Sequence, residues 1–144
     1  MEAHLIAPLR KAVEFLEGAG HRYAIVGGIA LAQWGFVRVT RDVDIRVLVP
    51  DTDYARMRAA LRAAFPEPAR AHLRAHPFVV AVEIDQIIVD FLLAGPGYEE
   101  QIVERAARKD MGGWSAWVCA AGDLLIRKDY SGGEKDWLDK QAVH

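Results

Sequence analysis

Apolar residues along this chain fall into two kinds of spacing, and the switches between them outline its elements. Leu5, Ile6, Leu9, Val13 and Leu16 recur at helical intervals, which predicts an amphipathic helix from about Ala3 to Glu17, ended by Gly18 and Gly20. Arg22 to Val26 reads as a short apolar strand, and Gly27-Gly28 turns the chain into a helix over Ile29 to Trp34, closed by Gly35. Val43 to Val49 reads as a second strand, stopped by Pro50. Asp51 is placed to cap a third helix that runs to about Phe65, with Tyr54, Met57, Leu61 and Phe65 on its inner face and Pro66 and Pro68 breaking it. Phe78 to Glu83 and Ile87 to Leu93 are β-rich runs around Ile84-Asp85-Gln86, the spacing of an antiparallel hairpin, closed by Gly95-Pro96-Gly97. After a variable stretch to Gly113, Trp114 to Cys119 reads as one more strand. Asp123 to Tyr130 and Glu134 to Val143 read as two closing helices around Gly132-Gly133. The sequence holds no internal repeat and no low-complexity segment.

The polar residues that interrupt this pattern carry the candidate chemistry. Asp42 and Asp44 sit two residues apart at the start of the second strand, so they project from the same face. Two carboxylates held together repel unless a cation sits between them, and a divalent metal is the usual answer. Asp90 interrupts Ile87-Ile88-Val89-Asp90-Phe91-Leu92-Leu93, where a carboxylate is costly to bury without a partner, and period-two spacing puts it on one face with Ile88 and Leu92. A metal held by Asp42 and Asp44 on a neighbouring strand would serve it. Three carboxylates around two divalent ions support in-line phosphoryl or nucleotidyl transfer, and hard oxygen ligands with substrate phosphates favour Mg²⁺. The glycine pair Gly27-Gly28, ending a strand and opening a helix, can present backbone N–H groups to a phosphate. It extends to neither a dinucleotide-binding nor a P-loop motif, so those readings are disfavoured.

Composition narrows the field further. The 144 residues fit one domain, read as a single unit over 1–144, with 52% hydrophobic and 26% charged residues. A net charge of −2 gives no general affinity for nucleic acid. Arg56, Arg58, Arg62, Arg70 and Arg74 form a local basic stretch that reads as a solvated helix face, with a nucleic-acid patch as the rival. Cys119 is the only cysteine and lies in an apolar run, so it reads as core, and a reducing compartment is expected. The first residues lack a signal-peptide pattern and no apolar run approaches the roughly 18 residues of a membrane span, which points to the cytoplasm. Asp85 reads as a turn residue, and the five histidines show no metal-ligand spacing.

Gly27-Gly28-Ile29-Ala30, then Gly35, Arg38, Thr40, Asp42 and Asp44, then Asp90, resembles the signature of the polymerase-β-type nucleotidyltransferase superfamily. Within it the chain is similar to the small AbiEii-type nucleotidyltransferase toxins and their relatives. Gly122 to Lys128 followed by Lys135 to Asp139 also resembles a C-terminal element of that group. The resemblance implies an α+β (α/β) nucleotidyltransferase fold, a mixed β-sheet flanked by helices in a single domain. It implies Asp42 and Asp44 as shared metal ligands, with Asp90 as third ligand and activator of the acceptor hydroxyl. Gly27 and Gly28 would hold the triphosphate, and Arg38, Thr40 and Lys128 are further candidates for nucleotide binding. Arg38 is equally suited to pairing with an Asp, and a Lys on a helix, such as Lys128, is more often simply solvated. Longer family members carry a helical acceptor-binding domain, so a partner protein or a homodimer is expected here.

The leading expectation is therefore a metal-dependent enzyme that moves an NMP from an NTP to a hydroxyl of a protein or RNA acceptor, in a toxin–antitoxin or stress-response setting. The rivals are a catalytically inactive binding module of the same fold and a nucleotidyltransferase acting on a small molecule such as an antibiotic. Retention of three mutually repelling acids argues against the inactive module.

Overall fold

A computed structural model describes residues 2–35, 42–68 and 76–124 of the chain. The elements follow in the order α1 (Ala3–Gly18), β1 (Tyr23–Val26), α2 (Gly27–Gln33), β2 (Val43–Leu48), α3 (Tyr54–Ala64), β3 (Val79–Ile84), β4 (Ile87–Ala94), α4 (Tyr98–Glu104), β5 (Ala107–Asp110) and β6 (Ser115–Val118). The strands form one six-stranded sheet in the order β3-β4-β2-β1-β6-β5. It is mixed: β2 runs parallel to β4 and β1 to β6, while β1/β2, β3/β4 and β5/β6 are antiparallel. No helix of the described residues is long and apolar enough to cross a membrane.

The two faces of the sheet are unequal. Val43, Ile45 and Val47 of β2 alternate with Asp44 and Arg46, as Val89, Phe91 and Leu93 of β4 alternate with Asp90 and Leu92. The apolar set faces α1 and α3. Phe15 of α1 meets Phe65 edge-on at 5.4 Å, and Phe65 stacks on Phe91 at 6.3 Å. Leu5, Leu9 and Leu16 of α1 and Leu61 of α3 are fully buried beneath them. The opposite face carries the acids and is met by α4, whose Glu99 reaches Arg46 at 3.3 Å.

Several local contacts differ from the sequence expectation. The cap of α3 is Asp53 rather than Asp51: Asp53 accepts the Arg56 N–H at 3.0 Å, while Asp51 folds the preceding turn by accepting the Asp53 N–H. The variable stretch before Gly113 contains α4 and β5. Arg58 and Arg62 are neither a solvated face nor a nucleic-acid patch. Arg58 donates to the carbonyls of His76, Pro77 and Val79, and Arg62 to that of Ala81. The two guanidinium groups cover the open edge of β3, which would otherwise present free carbonyls to another strand. Arg56 is taken up by Asp51 and Asp53. Arg70 and Arg74 lie outside the described residues, as does nearly all of the chain read as the two closing helices.

The β3–β4 hairpin closes as the spacing predicted, through Asp85 and Gln86, both at positive φ (51° and 67°). That pair of conformations is a type I′ turn, in which the second position favours Gly. Gln86→Gly is therefore expected to raise stability by about 0.5–1 kcal/mol by relieving left-handed strain, net of chain entropy. A denaturant midpoint that falls would contradict the turn assignment.

A second structural cluster ties α1 to the far edge of the sheet. Tyr23 donates to Glu17 at 2.5 Å, and Arg108 of β5 donates to the same carboxylate at 2.8 Å. The Arg108 guanidinium holds the Glu17 carboxyl below its ordinary range, against the opposing effect of burial. Burial, reinforced by the Glu17 carboxylate, pushes the Tyr23 phenol well above its ordinary value. A depressed carboxylate contributes stability above its unfolded pKa and loses it as pH falls through the folded value. Wild type should thus lose stability more steeply than Glu17→Gln between about pH 5 and pH 3. Parallel acid profiles would refute the pairing.

Candidate active site

The acid-bearing face is organised in rows set by strand register. Val26, Asp44, Asp90 and Ala81 lie side by side across β1, β2, β4 and β3. The next row toward the carboxyl ends of β2 and β4 is Ala24, Arg46, Leu92 and Val79. Asp44 and Asp90 thus occupy neighbouring parallel strands, whose backbones run about 4.8 Å apart, and their side chains leave the same face. Asp90 is buried, Asp44 half-buried, and Asp42 exposed one residue ahead of β2. Arg46 is buried beside them on the same face, with Glu99 against it.

Gly27 explains why a glycine opens α2. Its φ is +72°, and a Cβ built there would stand 2.6 Å from Asp44 Oδ2. No other residue lets the backbone come this close to the Asp44 carboxylate. The first turn of α2 has no side-chain cap, so Gly27 and Gly28 bring uncapped backbone beside the acid pair. Trp34 holds the other end of α2 in place: its indole N–H donates to the Cys119 carbonyl at 2.8 Å, and Lys109 Nζ sits 3.6 Å from the ring centroid. Cys119 itself is buried, in keeping with a core role.

Among the described residues no three His, Cys, Asp or Glu side chains form a group able to hold a metal ion by themselves. Mg²⁺, however, is commonly held by one or two carboxylates, with substrate phosphates and water completing its shell. An adjacent pair of like-charged carboxylates with a side-chain-free backbone against one of them fits that donor pattern. Of the other residues singled out from the sequence, Arg38, Thr40 and Lys128 lie outside the described residues. Arg46 and Glu99 were not anticipated. Arg46 left a signal, a cation two residues after Asp44 inside an apolar strand, whereas Glu99 is brought in only by the packing of α4.

No protein-family model and no curated protein sequence matches the chain. Solved structures do, at the level of fold. A candidate nucleotidyltransferase of Thermotoga maritima superposes with a TM-score of 0.62 at 15% identity over 97% of this chain and 96% of that one. The antibiotic-resistance factor ANT(2'')-Ia in solution gives 0.69 at 15% identity, over 99% of this chain and 84% of that one. A second structure of ANT(2'')-Ia, in complex with adenylyl-2''-tobramycin, gives 0.62 at 15% identity over 96% and 87%. The fold is thus the nucleotidyltransferase fold of these neighbours, built on a mixed six-stranded sheet with helices.

Proposed function

We propose that this chain is a nucleotidyltransferase that moves an NMP from an NTP to an acceptor hydroxyl. The observation that carries this reading is the in-register pair Asp44 and Asp90, with the Gly27 backbone pressed against Asp44. Asp44 and Asp90, with Asp42 ahead of them, are the residues assigned to Mg²⁺, and Gly27 and Gly28 those assigned to the triphosphate. A bound divalent ion would supply electrostatic stabilisation of the phosphoryl oxygens and of the departing pyrophosphate. Asp90 accepts the proton of the acceptor hydroxyl. The hydroxyl oxygen bonds to the α-phosphorus, the bond from that phosphorus to the pyrophosphate oxygen breaks, and pyrophosphate leaves with the electron pair. Arg46, on the same face, offsets the negative charge that the acids and the triphosphate gather there. The neighbour solved with an adenylylated antibiotic lends support to a small-molecule acceptor as the second reading. The toxin–antitoxin setting rests on the AbiEii resemblance of the sequence.

Calorimetry tests the site without knowledge of the acceptor. Mn²⁺ should bind weakly alone and at least about tenfold more tightly with a non-hydrolysable NTP, because substrate phosphates complete the shell of the ion. Equal affinity with and without nucleotide would argue against a triphosphate site, and an absence of binding in both conditions would favour an inactive module.

A further inference from the structure

The acid pair has two sides. Val26 of β1 and Gly27 at the start of α2 flank it on one side, and Ala81 of β3 on the other. With the triphosphate assigned to the glycine side, the region beyond Asp90, away from the glycines, is left for the acceptor. A cavity of about 310 Å³ opens one row further along the strands, from Arg46 of β2 to Val79 of β3. Its lining includes Arg46, Leu92 and Val79, the row next to the acids, with Tyr54, Phe78 and Glu99 around them.

We propose that this cavity is the acceptor subsite, and that it takes a small six-membered ring bearing a hydroxyl. The proposal rests on the transferase reading of Asp44 and Asp90. Leu92 follows Asp90 by two residues on one face, so a ring seated over Leu92 lies about 6.6 Å along the strand from Asp90. That is within reach for a ring-borne hydroxyl. Ala81, beside Asp90 in the acid row, carries only a methyl group, so no bulky side chain flanks the carboxylate on its β3 side. The walls suit a ring: Phe78 is 45% exposed although it sits in the structured start of the hairpin, and it meets the Tyr54 ring edge-on at 5.0 Å. The Arg46–Glu99 pair provides the polar wall at the β2 end. The volume sits at the low end of small-molecule sites and admits one ring with its substituents.

Aromatic and saccharide rings share this chemistry, and two probes separate them: tyramine and methyl glucoside, titrated into isotope-labelled protein while the amides of Val79, Gly95 and Glu99 are followed. One of the two should shift these amides saturably. Phe78→Ala should weaken that binding roughly tenfold, as expected for loss of an aromatic contact, and Leu92→Trp should abolish it by filling the cavity. Nucleotide affinity, read by calorimetry with Mn²⁺ and a non-hydrolysable NTP, should stay unchanged in both variants. Nucleotide binding with no response to either probe would overturn the subsite, as would a response that survives both substitutions. Probe binding with no nucleotide binding would overturn the transferase reading and the acceptor role with it. If Leu92→Trp fails to fold, Phe78→Ala, at an exposed position, decides alone.

Discussion

Asp90→Asn should leave the fold and NTP binding intact and lower nucleotidyl transfer by about 10²-fold or more, the size of a lost general base. The substitution keeps the shape of the side chain and removes its charge. Asp44 and the Gly27 backbone stay in place on the glycine side of the pair, so the triphosphate assigned there keeps its partners. A structural role for Asp90 predicts the opposite. A buried carboxylate held for its pairing would, once neutralised, leave a partner uncompensated at a cost of about 3 kcal/mol or more. A large fall in melting temperature with loss of nucleotide binding would therefore defeat the catalytic assignment.

Gly27→Ala should be nearly as damaging, for a different reason. The added Cβ would overlap Asp44 Oδ2, and φ +72° would strain any residue with a Cβ. The conformational strain alone is worth about 1–3 kcal/mol, and Asp44 must move from its place beside Asp90. Melting temperature and nucleotide affinity should fall together. Because the closest clash is with one side-chain oxygen, adding Asp44→Ala should recover part of the lost stability, a coupling visible in a double-mutant cycle. Additive costs would show that Gly27 and Asp44 are not pressed together.

Much of this arrangement was legible in the sequence because period-two and helical spacings fix faces before any tertiary contact exists. Asp90 was separated from its apolar neighbours and placed with Leu92 in that way, and β2/β4 register then sets it beside Asp44. Resemblance supplied the fold, which the structure bears out. The misses are equally physical. Helix α4 spans seven residues with only Ile102 and Val103 buried, and β5 is Ala-Arg-Lys-Asp, so neither has enough apolar positions to show a period. Arg58 and Arg62 look solvated by spacing alone, because their partners are backbone carbonyls of a strand about twenty residues later. Asp51 and Asp53 are both acceptable caps by residue type, and only the turn geometry selects Asp53. The cavity walls come from five separate elements and the loops beside them, so no local window contains them.

The most direct test of the central claim is transfer itself. Purified protein is incubated with each α-³²P-labelled NTP in turn, with Mg²⁺ or Mn²⁺ and whole-cell lysate as the source of acceptors, beside an Asp44→Ala variant whose melt is shown to be intact. Labelled product is expected from at least one NTP, with pyrophosphate released in step, and neither from Asp44→Ala. Label from none of the nucleotides, or equal label with and without the Asp44 carboxylate, would contradict it.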